Sequence, residues 1–457
     1  MAMLYAALKP VAKVALQWYY RSITVAGAER LPATGPVFLA VNHPNALVDA
    51  LVVATSAERR VRFTAKSTIF RNRIAAEFFR RAGVVPLRRA SDEQVAGNGM
   101  VDPSRNTAAF DAVADALAEG AAIVIFPEGK SHDAPQLAPL RSGLARMSLM
   151  AQERGVRGIR IVPVGLLFEQ KEEPRSRVLV QIGEPIDVDT FQDGNATVPA
   201  LTDAVAARLA AVTLNFETAH DAGRIVLVGE TLGALVEPLR SVGADFVPLS
   251  TTLSLVRRID RSARALLEGK RWQGDAAVAS RVAAFEQRLL AFRDDLQRAG
   301  VDVHDVAIDP GATAGVQFAV REGVIAALLL PFVLWGRLTH WVPVRLARAL
   351  ALRGVRGRDE PAMRTIVNGV FLVLLAYAAE TTLVGVLAGP WWALLFFVSL
   401  IPSASSDFRY GDRLRRARQR AHAYFLFRRD HGVQPALMAE ADWLRTEAAA
   451  LERLAVE

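Results

Sequence analysis

Hydrophobic and polar positions change rhythm several times along the chain, and each change predicts a different kind of element. Near the start, Leu4, Leu8, Val11, Ala15 and Trp18 recur at helical spacing, with Lys9 and Lys13 off that stripe. The pattern predicts an amphipathic helix, bent at Pro10 and ending at Tyr19, Tyr20 and Arg21. Such a helix suits a membrane surface, and equally the surface of the protein's own core. From residue 31 to about 185 the rhythm shortens to apolar runs rich in Val, Ile and Phe. These are Val37 to Val41, Val61 to Thr64, Val84 to Leu87, Ile123 to Phe126, Ile161 to Val164 and Val178 to Ile182. They alternate with helical stretches, so an α/β domain is predicted. Residues 97–106, GNGMVDPSRN, are turn formers and predict an exposed loop before a helix over 107–119.

Residues 198–320 carry Ala, Leu, Arg, Glu and Asp with helical period, as in Ala277 to Ala299, and predict a helical module without a catalytic pattern. Ile366 to Ile401 then holds one charged residue, Glu380, in 36 positions, divided by Gly389 and Pro390. Two full spans need roughly 40 apolar residues and a turn, so this stretch predicts a short membrane hairpin, or one span with a re-entrant half. A buried helical hairpin of a soluble protein is the alternative. An earlier run, Val324 to Trp335, is shorter still. Seven arginines from Arg337 to Arg364 precede the apolar stretch and six from Arg409 to Arg420 follow it, which by the positive-inside rule turns both ends to the cytoplasm. The organisation expected is an interfacial helix over 1–30, an α/β domain over 31–197, the helical module over 198–320, membrane-associated helices over 321–405 and a basic helical tail over 406–457.

At 457 residues the chain is too long for one ordinary core, and 52% hydrophobic residues with a mean hydropathy of +0.21 reflect chiefly the apolar region near 323–401. A net charge of +8 and a pI near 10.1 attract polyanions: nucleic acid, anionic headgroups or phosphorylated substrates. Nucleic acid is not expected, because the arginines flank apolar runs and no recognised binding module is present. With no cysteine, disulfides, thiolate metal sites and a cysteine nucleophile are excluded. Lys9 and Lys13 interrupt the N-terminal apolar residues, which argues against a secretory signal peptide.

Chemistry is concentrated after the strands. NHPNALVD, residues 42–49, directly follows Val37 to Val41 and offers Asn42, His43 and Asp49. An imidazole can take a proton from an attacking hydroxyl while a carboxylate holds its tautomer and stabilises the imidazolium. Taken alone, this block also reads as an ordinary turn. GVVPLRR, residues 83–89, ends a strand in paired arginines suited to a phosphate or to plain solvation. Ile123 to Phe126 runs into PEGKSHD, residues 127–133, placing Glu128, Lys130, Ser131, His132 and Asp133 in one turn around Gly129. VPVG, residues 162–165, carries little chemistry of its own.

In this order and at these separations, the four motifs resemble the glycerolipid acyltransferase family that includes glycerol-3-phosphate and 1-acylglycerol-3-phosphate O-acyltransferases. The resemblance covers roughly residues 20–190. The family's usual block has four residues between His and Asp, whereas Pro44 to Val48 make five, so the turn must shape the contact. With that spacing, FPEGKSHD and the C-terminal apolar part, the chain looks like the glycerol-3-phosphate and dihydroxyacetone-phosphate acyltransferases of yeasts. The resemblance implies a mixed α/β sheet flanked by helices, followed by a helical module and a membrane-embedded hairpin. It implies His43 as general base, Asp49 as its orienting partner, and a substrate wall with Arg88, Glu128 and Gly129, extended by Lys130, Ser131, His132 and Asn42. It implies no metal and no cofactor, acyl-CoA or acyl carrier protein as acyl donor, a glycerol phosphate as acceptor, and a phospholipid membrane as surroundings, here the inner membrane of a bacterium with the site facing the cytoplasm. Acylation of 1-acylglycerol-3-phosphate or another lysophospholipid, and an inactive lipid-binding scaffold, are the alternatives.

Overall fold

The computed structural model describes residues 2–66, 73–87, 107–191, 197–216, 275–353 and 360–456, with Val228, Thr231, Leu235 and Ser262. They fall into two compact units, residues 1–217 with 346–371 and residues 218–345 with 372–457. Arg88 and the loop expected over 97–106 lie outside the described residues.

The first unit opens with helix α1 (Ala2–Tyr19) and strand β1 (Ser22–Ala26). β2 (Val37–Val41), α2 (Ala46–Ser56), β3 (Val61–Lys66), α3 (Arg73–Ala82) and β4 (Val85–Leu87) follow. Next come α4 (Thr107–Ala118), β5 (Ala122–Ile125), α5 (Gly143–Glu153) and β6 (Arg160–Phe168). β7 (Arg177–Ile182), β8 (Ile186–Asp187) and α6 (Thr197–Ala210) complete the series. Every apolar run read from the sequence as strand-like is a strand here, within a few residues at its ends.

Among the described residues, eight strands form one sheet in the order β1-β7-β6-β2-β5-β3-β4, with β8 beside β6. β6, β2, β5, β3 and β4 are neighbours in parallel pairs, so their carboxyl ends share one edge, where ligands of open α/β sheets gather. The short connection from β6 to β7 makes that pair antiparallel. β2 is buried at every position. Its alternate residues serve both faces: Val37, Leu39 and Val41 enter one core cluster, while Phe38 and Ala40 enter the other.

The first cluster also takes Leu16, Tyr19 and Tyr20, at the end of α1 and just beyond it, and Val48, Val52 and Val53 from α2. α1 therefore packs on the protein core through its last turns, while Leu8 and Val11 remain exposed. The expected boundaries shift at two places. The β-branched run Ser22 to Ala26 pairs in parallel with β7 rather than continuing an N-terminal helical segment to residue 30. α6 belongs to this unit rather than to a module starting at 198, because Leu201 and Val205, one turn apart, are buried in the second cluster.

The second unit contains α7 (Ala276–Ala299) and α11 (Val433–Val456), which run antiparallel. Arg288 pairs with Glu440 and stacks over Trp443 at 3.6 Å, and Phe285, Leu289, Phe292, Leu437 and Leu444 form the seam. Between them in sequence lie α8 (Ala312–Ala351), α9 (Pro361–Ala388) and α10 (Pro390–Arg429). α8 and α9 are long and apolar enough to cross a membrane, and their most apolar windows are only 6% and 11% buried. That exposure disfavours the soluble-hairpin alternative. Val324 to Trp335 is not a short separate run but the middle of the 40-residue α8. Gly389, at φ 97°, and Pro390 divide α9 from α10 as their residue types predict. α10 continues from its apolar start through the expected boundary at 405.

The first unit includes the end of α8 and the start of α9. Ala362 and Ile366 join the cluster containing Val41 and Val48, and Arg348 pairs with Glu173 at 3.1 Å.

Gly165, the last residue of VPVG, has its structural reason in α6's following turn: a Cβ there would lie 2.0 Å from the Val212 carbonyl oxygen. Gly165→Ala is expected to destabilise the domain by about 1–3 kcal/mol through overpacking, lowering Tm by several degrees. A melting curve that coincides with the wild type would refute this role.

Candidate active site

β2 delivers His43 to the carboxyl edge of the sheet two residues beyond its end, and α2 carries Asp49 in its first turn. His43 Nδ1 lies 2.9 Å from Asp49 Oδ2. The five intervening residues close this contact by a bulge rather than by helical spacing. Asn45 adopts φ −141° and ψ 44°, neither helical nor extended, and Ala46 adopts φ 48°, a left-handed conformation that costs a non-glycine residue about 1–2 kcal/mol. Asn45 N–H then donates to the same Asp49 oxygen at 2.7 Å. Asn45 is itself buried, and its amide donates to the Tyr20 hydroxyl at 3.0 Å and the Lys171 carbonyl at 3.1 Å.

Asp49 has no exposure at all. Burial pushes its carboxyl above the ordinary range, while the His43 bond and charge, the Asn45 N–H and the Lys171 charge pull the other way. An ionised Asp49 accepts from Nδ1–H of a neutral His43, which leaves Nε2 with a free lone pair. Nε2 has no partner among the described residues, and the ring, 14% exposed, stacks on Phe126 at 4.0 Å and 17°. The arrangement is that of a general base with an orienting carboxylate.

β5 brings Phe126 and the Pro127-to-Asp133 turn to the same edge. Glu128 is a hub beneath His43: its Oε1 accepts the His43 backbone N–H at 2.8 Å, and its Oε2 accepts the Ala138 N–H at 2.8 Å and contacts His132 Nε2. His132 Nδ1 accepts the Ala134 N–H at 3.2 Å, which puts the ring proton on Nε2 facing Glu128. Ser131 Oγ accepts the Ala46 N–H at 3.3 Å. Asn42 spans from β2 to β6, donating to the Leu166 carbonyl at 3.0 Å and accepting the Leu166 N–H at 2.6 Å, in the manner of one more ladder pair.

Thus Asn42, Glu128 and His132, expected in the substrate wall, turn their polar atoms inward to hold the turns that carry His43. Lys130 is exposed. Gly129, at φ 80°, has the side chain of Arg141 beside it, with Cγ 3.4 Å from where a Cβ would stand. Arg141, Tyr20 and Lys171 were not legible as site residues, since they sit outside the four motifs and reach the site only by folding.

Asn42→Leu leaves a Leu166 N–H and C=O without partners at a partly buried position, so a loss of about 2–4 kcal/mol is expected. Chemical denaturation measures it, and a midpoint equal to the wild type would mean water satisfies both groups.

Residues 22–167 match the family model described as Acyltransferase. An uncharacterized acyltransferase of Schizosaccharomyces pombe is 22% identical over 260 residues, covering 39% of this chain and 38% of that protein. Glycerol-3-phosphate O-acyltransferase 2 of Saccharomyces cerevisiae is 41% identical over 85 residues, 18% of this chain and 11% of the relative. Glycerol-3-phosphate O-acyltransferase 1 of the same yeast is 38% identical over 80 residues, 17% and 10% respectively. The chain therefore spans less than two thirds of the length of these relatives. The crystal structure of the 1-acyl-sn-glycerophosphate acyltransferase from Thermotoga maritima is 17% identical, with 45% of this chain and 77% of that one covered at a TM-score of 0.34. Residues 22–167 are thus similar to the acyltransferase family, and shorter segments of the chain are similar to yeast glycerol-3-phosphate O-acyltransferases.

Proposed function

We propose that the protein transfers a fatty acyl group from acyl-CoA or acyl carrier protein to the sn-1 hydroxyl of glycerol-3-phosphate at the cytoplasmic face of a phospholipid membrane. The observation that carries this reading is the buried Asp49 bonded to His43 Nδ1 at 2.9 Å, with Nε2 unpartnered among the described residues. Nε2 takes the proton of the acceptor hydroxyl as its oxygen attacks the thioester carbonyl. The tetrahedral intermediate collapses by breaking the C–S bond, and the imidazolium returns the proton to the departing thiolate. Asp49 holds the ring in the reactive tautomer and stabilises its charged form.

The acceptor phosphate is assigned to the cations that follow the strands. Lys130 comes after β5, and Arg88 comes one residue after β4, outside the described residues. The yeast relatives that name glycerol-3-phosphate as their acceptor share with this chain the segment of strongest identity, which favours that acceptor. The junction of α8 and α9, packed into the acyltransferase unit and carrying Arg348, Arg353 and Arg364, supports a position at the cytoplasmic leaflet. There a long acyl chain can stay in lipid while its head reacts.

Membranes containing the protein, supplied with labelled palmitoyl-CoA and glycerol-3-phosphate, are expected to form 1-acylglycerol-3-phosphate, and His43→Ala to abolish this. Product from 1-acylglycerol-3-phosphate alone would move the reaction to the second hydroxyl, and no product with any acceptor would favour a lipid-binding scaffold. Asp49→Asn keeps the shape but not the charge and is expected to cut kcat about 10²–10⁴-fold with a small change in KM. Steady-state kinetics that instead show only a raised KM would remove Asp49 from the base.

A further inference from the structure

Lys171 stands three residues past β6, outside the four motifs and far in sequence from the His43 turn, yet it grips the turn between His43 and Asp49 twice. Its Nζ donates to the Pro44 carbonyl at 2.9 Å, and its own carbonyl accepts the Asn45 amide at 3.1 Å. The same Nζ pairs with Asp133 at the end of the Pro127-to-Asp133 turn. The lysine side chain is only 14% exposed. One residue therefore ties together the loop that carries the base, the loop that supports it from below and the connection from β6 to β7.

The tie matters because this turn is one residue longer than the family's usual block. The extra length is taken up by a buried Asn45 and a left-handed Ala46, neither of which is stable without partners. Asn45 also supplies an N–H to Asp49. A shift of the turn would move that donor away from the carboxylate and change the His43–Asp49 distance together. Burial raises the Asp49 carboxyl, and among the influences favouring its ionised form is the charge of Lys171.

Resting on the acyl-transfer reading above, we propose that Lys171 is a positioning residue for the reaction: it clamps the five-residue His43–Asp49 turn into its reactive shape. It does not touch the substrate, so its loss acts through the base.

The full-length protein in its membranes tests this with Lys171→Met, Lys171→Gln and Lys171→Arg, each alone and combined with Asp49→Asn. The Met and Gln variants are expected to lower kcat about 10–100-fold, as sub-ångström misplacement of a base does, with acceptor KM changed less than about threefold. Lys171→Arg, which keeps charge and donors, is expected to recover most of the loss. In the Asp49→Asn background Lys171→Met should cost little more, because the element it positions is already disabled. A full multiplicative loss in that background, an effect on KM alone, or wild-type kcat in both the Met and Gln variants overturns the proposal.

A second readout does not depend on turnover. Carbethoxylation of His43 by diethyl pyrocarbonate, followed by peptide mass spectrometry, should be several-fold slower in Lys171→Met, Lys171→Gln and Asp49→Asn than in wild type or Lys171→Arg. Loss of the Asp49 bond leaves Nε2 less nucleophilic and less often the unprotonated nitrogen. Unchanged His43 reactivity in both the Met and Gln variants overturns the clamp. A wild type that transfers no acyl group, but shows this reactivity pattern, overturns the proposed function and leaves the clamp standing.

Discussion

Burying a carboxylate is costly unless its charge is paired and hydrogen-bonded, and Asp49 is buried completely. The rest of the acyltransferase unit is arranged around that constraint. Asp49 sits in the first turn of α2, and it receives His43 Nδ1 and the Asn45 N–H on one oxygen. For the imidazole to reach it, β2 must end two residues before His43 and α2 must start one residue after Asn45. The strain of Ala46 and the burial of Asn45 are the local cost, offset by partners drawn from three distant parts of the chain: Tyr20, Ser131 and Lys171.

The parallel part of the sheet supplies those partners. Because β6, β2 and β5 point the same way, the described residues that follow each of them arrive at one edge without further instruction. Glu128 then joins two of these turns, holding the His43 backbone with one oxygen and the Ala138 N–H with the other. Asn42 performs a similar task between β2 and β6. These side chains hold the His43 turn from beneath, while Lys130 is exposed and the Arg141 side chain lies beside Gly129.

Ala362 and Ile366, at the start of α9, belong to the first unit and fill the core face that also buries α1's last turns and α2. Farther along, Trp335 donates to Ser399 at 2.9 Å and His340 Nε2 lies 2.6 Å from the Tyr377 hydroxyl. Such polar pairs between apolar helices satisfy groups that apolar side chains cannot.

What the sequence determined by itself was the periodicity-driven part: six strand runs, the α/β class, the helical stretch at 277–299 and the division of apolar helices at Gly389 and Pro390. The motifs also marked the carboxyl edge of the sheet as the candidate site, because turn formers and chemical side chains cluster where strands end. It did not determine β1, whose short run Ser22 to Ala26 becomes a strand only beside β7, nor α6, which joins the sheet through Leu201 and Val205. Tertiary structure alone decided that Asn42, Glu128 and His132 hold the turns, and that Lys171 and Tyr20 belong to the site at all. The physical reason is distance: local rules read a residue's neighbours within a turn or two. The turn that carries the partners of the buried carboxylate is itself held by Tyr20, Ser131 and Lys171, residues far apart in the chain that come together only when the strands between them are laid side by side.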